Sequence, residues 1–448
     1  MNATDPATRR SQRLATSVVL AAALATSSAS AEDLLDVYRA ARSYDAQLAS
    51  ARYALEAGRE RLPQGRAGLL PLLTATGFTQ WNDVTNKIAD RNFTFNSNGY
   101  TVTLSQPLFR WQNWVAYQQS ELQVLQSESV FAQANQDLAT RTAQAYFDVL
   151  AAGDTIEFVR TKKTAISEQL AQAKRNFEVG TATITDTNEA QARFDLSVAE
   201  EIAALNDLEI RRRALAQIAG RDFSRLTPLR PAAQIPSPEP NDMGRWVQTA
   251  LEQSYAVRSQ ELAWEITRRE VDRNRAAHLP TLDLVGTHGH NIAANQANTG
   301  VRSDLIVNTV GLQLAIPFYS GGIVESRIRE AVANRERTRA DLDNVRRNTE
   351  FTTRQAFLGL TNGIAQVRAL EQSLKSSDVA LASNKLGYEV GVRINIDVLN
   401  AQQQVFQTKR DLSKARYDTI MNGLRLKAAS GTLTEDDLLG VNRLLGAD

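Results

Sequence analysis

The fold expected for this 448-residue chain is mainly α with a β-barrel portion, built on unusually long coiled-coil helices. Three observations predict it. No proline occurs between Leu108 and Thr227, or from Phe318 to the C-terminus, so nothing in either stretch forces a helix to break. Each stretch carries apolar and small residues at alternating steps of four and three. Each is preceded by segments in which apolar and polar residues alternate, the period of a strand with two unlike faces.

The N-terminus comes first. Arg9, Arg10 and Arg13 precede the apolar stretch Leu14 to Ala25, and Ala29-Ser30-Ala31 has the A-x-A form of a cleavage site. Residues 1–31 therefore read as a secretory signal peptide. Its removal takes three arginines and Asp5, which moves the net charge from +1 to 48 − 49 = −1. With no Cys in the chain there is no site for an N-terminal lipid anchor, and no run of about 18 apolar residues follows. The exported chain is expected in the periplasm, outside the cell, or in the outer membrane as a β-barrel.

The remainder repeats itself. Phe177-Glu178-Val179-Gly180 is echoed by Tyr388-Glu389-Val390-Gly391, at an offset of 391 − 180 = 211. Asp186 and Asp397 keep that offset, as do Gly220 and Gly431, and Pro107 and Pro317 nearly do. Five of the eleven prolines fall between Pro228 and Pro240. The chain divides into a first repeat at 32–230, a proline-rich linker at 231–240 and a second repeat at 241–448. Each repeat is expected to run helix, two strands, long helix, turn, helix.

In the first repeat the seam is Ala145, Val149, Ala152, Ile156, Val159, Lys163, Ile166, Leu170, Ala173 and Phe177. Adding 211 gives a matching series from Ala356 to Tyr388. The spacing predicts helices from Arg110 to Val179 and from Ile323 to Val390. At 1.5 Å per residue each reaches about 100 Å, too long to stand without neighbours. Gly180 and Gly391 are placed to end them in the left-handed conformation. Thr185 and Asp186, or Asn395 and Asp397, are placed to cap the returning helices.

Four strand segments precede the long helices. Tyr100, Val102 and Leu104 alternate with Thr101, Thr103 and Ser105; Ile306, Val310, Leu312 and Leu314 alternate with Thr309, Gly311 and Gln313. Leu72–Trp81 and Thr281–His288 match more weakly, and Asn82–Asn96 and Gly289–Ser303 read as polar loops. About ten residues suits a tilted strand that crosses a membrane. Four strands cannot close a barrel. Two chains would supply eight, whose interior side chains fill, and three would supply twelve and leave a lumen.

Composition removes several classes of function. Lys plus Arg is 51 and Asp plus Glu is 50, a balance that argues against nucleic acid as a partner. The lack of Cys excludes disulfides, thiolate metal sites and a cysteine nucleophile. His288-Gly289-His290 puts two imidazoles on one side of an extended segment without a third ligand, so no metal and no cofactor is assigned. No nucleophile-elbow, P-loop or zincin motif occurs, which leaves a catalytic reading without residues to carry it.

Several stretches together resemble a known family. They are Leu104-Ser105-Gln106-Pro107-Leu108-Phe109, the run from His278 to Leu284, Pro317-Phe318-Tyr319-Ser320-Gly321-Gly322, the two Val-Gly turns, and Gly431-Thr432-Leu433 followed by Asp436-Asp437-Leu438-Leu439. In order and in duplicate, they resemble the TolC-type outer-membrane channels of efflux and type I secretion. The resemblance implies a homotrimer with a twelve-stranded barrel in outer-membrane lipid and a helical tunnel reaching into the periplasm of a Gram-negative cell. It implies a passive exit duct, not an enzyme. Its partners would be a periplasmic adaptor (membrane fusion) protein and an inner-membrane transporter, either ABC or proton-driven.

It also implies a periplasmic gate where the helices turn back. Carried over residue by residue, Tyr388 and Arg393 reach Thr185 and Asp186. Asp397 faces the pore axis as a ring of three carboxylates. A second acid ring is missing, because Asn400 stands at its position, and Glu189 is the equivalent residue of the first repeat. The turn tips at Gly180 and Gly391 are the expected contact for the adaptor. Two other readings remain open on the residues alone. A periplasmic coiled-coil adaptor or tether would explain the heptads but not the paired hairpins. A long-helix enzyme of the lyase kind would explain the helix content but not the missing catalytic cluster.

Overall fold

The computed structural model describes residues 32–446, apart from Ala89, Ser224, Ala232 and 294–300. The signal peptide assigned to 1–31 lies outside the described residues. Three short helices open the described residues: α1 (Leu34–Tyr44), α2 (Ala46–Arg59) and α3 (Arg61–Ala67). Strands β1 (Leu72–Asn86) and β2 (Arg91–Phe109) follow, then the long helix α4 (Trp111–Glu178) and its return α5 (Ile184–Ala219). A similar order recurs, with two α-helices in place of three before the strands: α6 (Met243–Gln253), α7 (Tyr255–Arg275), β3 (Thr281–Ala293), β4 (Ser303–Ala315), α8 (Ile323–Glu389) and α9 (Asn395–Ala429). A short α10 (Glu435–Asn442) completes it.

The long helices have 68 and 67 residues, so each extends about 100 Å. Along α4 most of the heptad seam is buried: Val149, Ala152, Ile156, Ile166, Leu170 and Ala173 are buried, Ala145 and Val159 partly so, and Phe177 at its end is exposed. Lys163, the polar break in that seam, reaches across to Glu201 on α5 at 2.8 Å. Among the described residues no helix is long and apolar enough to cross a membrane.

The four strands form one antiparallel sheet in the order β1-β2-β3-β4. They are longer than alternation predicts. The stretches read as loops, Asn82–Asn96 and Gly289–Ser303, are partly strand, because the hairpins run on to Asn86 and Arg91, and to Ala293 and Ser303. Cross-strand hydrogen bonds hold these polar ends extended: Asn82 Nδ2 donates to Ser97 Oγ at 2.8 Å, and His290 Nε2 meets Asp304 Oδ1 at 2.7 Å. Register sorts the two faces. Leu73, Ala75, Val102, Leu104, Leu284, Val310 and Leu312 share one; Thr74, Thr76, Thr101, Thr103, Thr287, Thr309 and Gln313 share the other. Among the described residues, strands β1 and β4 each have one partner only, leaving two open edges.

The main core lies around the middle of the helices. Leu34, Val37, Leu138, Tyr146, Phe147, Leu215, Tyr417, Met421 and Leu438 meet there, so α1, α4, α5, α9 and α10 share one apolar centre. The Tyr146 hydroxyl donates to the Thr227 carbonyl at 2.7 Å. Toward the turns the packing thins to a cluster of Leu170, Ala173 and Ala190, with Phe194 against it.

The sheet is tied to the helices by Arg110, which precedes α4. Its guanidinium grips buried Asp283 of β3 with two hydrogen bonds, Nε to Oδ1 at 2.8 Å and Nη2 to Oδ2 at 2.6 Å. Arg110→Ala would strand that carboxylate, at a cost of about 2 kcal/mol. A lower thermal midpoint for detergent-solubilised R110A, restored in R110A/D283L, is the expected result; an unchanged midpoint for R110A removes the pair from the joint.

Candidate functional site at the helix turns

Both long helices end in the same way. The Thr181 and Ala182 amides donate to the Asn176 carbonyl at 2.8 and 3.2 Å; the Val392 and Arg393 amides donate to the Gly387 carbonyl at 2.9 and 3.0 Å. Asn176 and Gly387 keep the sequence offset, 387 − 176 = 211. Gly180 and Gly391 follow with φ of 78° and 81°, where a Cβ would be strained. Gly387 serves a different need: a Cβ there would lie 2.7 Å from Cγ of Arg393, so its absence lets the arginine fold back on α8.

The return helices start differently. Thr183, not Thr185, is the N-cap of α5; its hydroxyl accepts from the Asp186 amide at 3.2 Å, and the Asp186 carboxylate accepts from the Thr183 amide at 3.0 Å and from its hydroxyl at 2.7 Å. Thr185 is one residue inside the helix and exposed, because the capping box needs Asp186 at the third helical position. Helix α9 begins after Ile394, which has no side chain to cap with, and Asn395 and Asp397 lie inside the first turn. Asp397 there meets Arg393 at 3.7 Å, a pair within one hairpin.

The links between the two hairpins are others than those expected. The Tyr388 hydroxyl accepts from Nδ2 of Asn176 at 3.1 Å, not from the Asp186 region, since Asp186 is engaged with its own cap. Arg193 on α5 donates to Oδ1 of Asn400 at 3.1 Å and to Oε1 of Gln403 at 2.6 Å, both on α9. Asn176, Arg193 and Gln403 had no signal in a single sequence: polar residues on long helices mostly face water, and only packing shows which meet. Glu189 is partly exposed, one turn before Arg193.

Higher on the seam, Asp154 of α4 accepts from the hydroxyls of Ser413 and Tyr417 on α9, the latter at 2.8 Å. Burial raises its pKa, the two hydroxyls oppose that, and nearby Glu157 adds to the rise. Burial, with Asp154 beside it, likewise pushes the Tyr417 phenol upward.

The tips themselves are apolar and bare. Val179, Val390 and Val392 are 73%, 64% and 76% exposed. His288 and His290 lie on the apolar face of the sheet, bound to Asn308 and Asp304, with Tyr100 against both rings. Among the described residues no cluster of three or more His, Asp or Glu is arranged to hold a metal ion.

Comparison with known proteins gives this architecture its context. The model of the outer membrane efflux protein family matches residues 37–221 and again 246–432. The chain is 32% identical to the proteases secretion protein PrtF of Dickeya chrysanthemi over 440 residues, covering 96% of this chain and 94% of that one. It is 33% identical to the outer membrane protein TolC of Vibrio cholerae over 427 residues, covering 94% and 96%. Among solved structures, the Campylobacter jejuni CmeC outer membrane channel superposes with a TM-score of 0.79 at 17% identity, covering 91% of this chain and 89% of that one. The Vibrio cholerae outer membrane protein VceC gives 0.78 at 17%, covering 89% and 96%. Two rods of about 100 Å beneath a four-stranded antiparallel sheet fit these relatives and leave the adaptor reading behind. The chain belongs to the outer membrane efflux protein family, a non-enzymatic class, and is an outer-membrane channel of the efflux and type I secretion kind that extends into the periplasm of a Gram-negative cell.

Proposed function

We propose that three copies of this chain assemble into one duct, with a twelve-stranded barrel over a helical tunnel, and that the tunnel is gated where the helices turn. The observation that carries the reading is the sheet with two open edges. Inside a membrane an unpaired strand edge costs several kcal/mol per backbone group, so β1 must meet the β4 of a neighbour. Three copies give 3 × 4 = 12 strands and a lumen; two give eight and none. The apolar face of the sheet would then meet lipid and the threonine-rich face would line the pore. The repeated order of elements supports an internal duplication at 32–230 and 241–448, joined through 231–240.

At the gate Tyr388, Arg393, Thr185 and Asp186 act between hairpins of the assembled trimer, and Asp397 forms the carboxylate ring. The bare valines beside Gly180 and Gly391 offer an apolar surface for a periplasmic adaptor, which an inner-membrane transporter, ABC or proton-driven, would accompany. Detergent-extracted protein should run as a trimer on an unheated gel, fall to 49.4 kDa or less after boiling, and conduct in planar bilayers. A monomer in both lanes would end the trimeric reading. Asp397→Ala should weaken block by a trivalent cation roughly tenfold, because a ring loses three charges. Equal block before and after would take Asp397 off the pore axis.

A further inference from the structure

We infer that Arg193 sets the charge preference of the constriction and also ties its two hairpins together; this rests on the reading of the turns as the constriction. Arg193 stands on α5 and both its acceptors, Asn400 and Gln403, stand on α9, so the contact joins the first hairpin to the second. Both acceptors are neutral amides. Among the described residues Arg193 makes no ion pair, unlike Arg393, whose charge is shared with Asp397 at 3.7 Å. The guanidinium therefore brings a full positive charge to Asn400, the position at which the family resemblance expects a carboxylate. Around it α5 also carries Asp186, held in its capping box, and Glu189, which has no side-chain partner among the described residues; α9 carries Asp397. Over the first three turns of α5 and the start of α9, the cations are Arg193 and Arg393 and the carboxylates are Asp186, Glu189 and Asp397. Without Arg193 one cation stands with three carboxylates there.

Two roles follow from one side chain. The forked hydrogen bonds hold α5 against α9, where direct packing between these helices is slight, and the charge offsets the field of Glu189 and Asp397. A unit charge about 8 Å from a permeating ion, in surroundings between water and protein, biases it by roughly fivefold. Rings of charged side chains select ions in this way.

Planar-bilayer recordings under a KCl gradient separate the roles. Arg193→Gln removes the charge and is expected to raise the potassium-to-chloride permeability ratio roughly fivefold. Arg193→Lys keeps the charge but not the fork; it is expected to leave that ratio unchanged and raise the conductance at least about twofold, as a lost charged hydrogen bond shifts a closed state. A permeability ratio in R193Q equal to that of the native channel overturns the charge role. Native conductance in R193K overturns the latch. Both variants alter a partly exposed surface position, and their trimer content on an unheated gel is read alongside. Loss of conductance in the native protein itself would count against the channel reading and not against Arg193.

Discussion

On the proposed gate, the Tyr388→Phe, Arg393→Ala double variant is expected to show a markedly higher open probability in planar bilayers than the native protein. Tyr388 accepts one hydrogen bond from Asn176, a contact worth about 1 kcal/mol. Arg393 meets Asp397 within its own hairpin, so its contribution to the shut state is the exposed contact between hairpins proposed for the trimer, worth up to about 1 kcal/mol. Neither decides anything alone. In the proposed trimer three protomers make six such contacts, so the double variant removes about 4–6 kcal/mol from the shut state, and about 5.5 kcal/mol carries an equilibrium from 1:99 to 99:1. Each single variant removes about half and should conduct at an intermediate level. The shape of that series matters: a gate held by one dominant bond would give one single variant equal to the double. An open probability in the double variant no higher than native would strike both residues from the gate.

Acid should tighten the seam between α4 and α9, and Asp154→Asn should abolish that response. The carboxyl is partly buried and its pKa lies above the ordinary 3.8. The packed seam therefore binds the proton more tightly than a seam opened to water. Stability from this group is fully present below pH 3.8 and declines as pH rises toward the raised value. The groups that face it do not reverse the sign. Glu157 on α4 adds to the rise, Arg211 on α5 is taken up by Asp148 and Asp207, and Arg410, Lys414 and Asp418 of α9 line the same cleft of about 360 Å³. Asparagine keeps an acceptor for Ser413 or Tyr417 and cannot titrate. Thermal unfolding of the solubilised protein at several pH values between 4 and 8 is the test. The native midpoint should fall across that range more than the D154N midpoint does; parallel curves would show that Asp154 has no part in it. Tyr417→Phe should lower the midpoint at every pH, since a partly buried carboxylate loses a donor at a cost of about 1 kcal/mol.

Some features were legible before any coordinates. The ends of α4 and α8 were, because Gly180 and Gly391 need the left-handed conformation and the next proline lies far away. The two faces of the sheet were, because Tyr100, Val102 and Leu104 alternate strictly with threonine and serine. The hairpin ends were not. Asn82, Asn92, Asn96 and Asn98 are turn formers by propensity, and they are strand only because cross-strand pairing satisfies their backbones. The cap of α5 was misplaced by two residues, since Thr183 and Thr185 look alike in sequence and only the reach of Asp186 tells them apart.

The turns divide in the same way. Where they lie followed from the repeated Val-Gly motif; that they form a gate, and that a carboxylate belongs at Asn400, is what the family resemblance implies. That Asn176 meets Tyr388, and that Arg193 meets Asn400 and Gln403, depended on how two hairpins lie against each other.

The order of amino acids by itself determined which segments are rods, which are strands, where each rod stops, and that one chain cannot finish its own sheet. These follow from local rules: a heptad period, a two-residue period, a glycine with positive φ and a count of strands. The tertiary structure alone decided which polar residues touch across hairpins, and with them where charge sits at the turns. A residue's partners on another helix depend on rotation and offset between two helices of about 100 Å, and sequence distance carries no record of either.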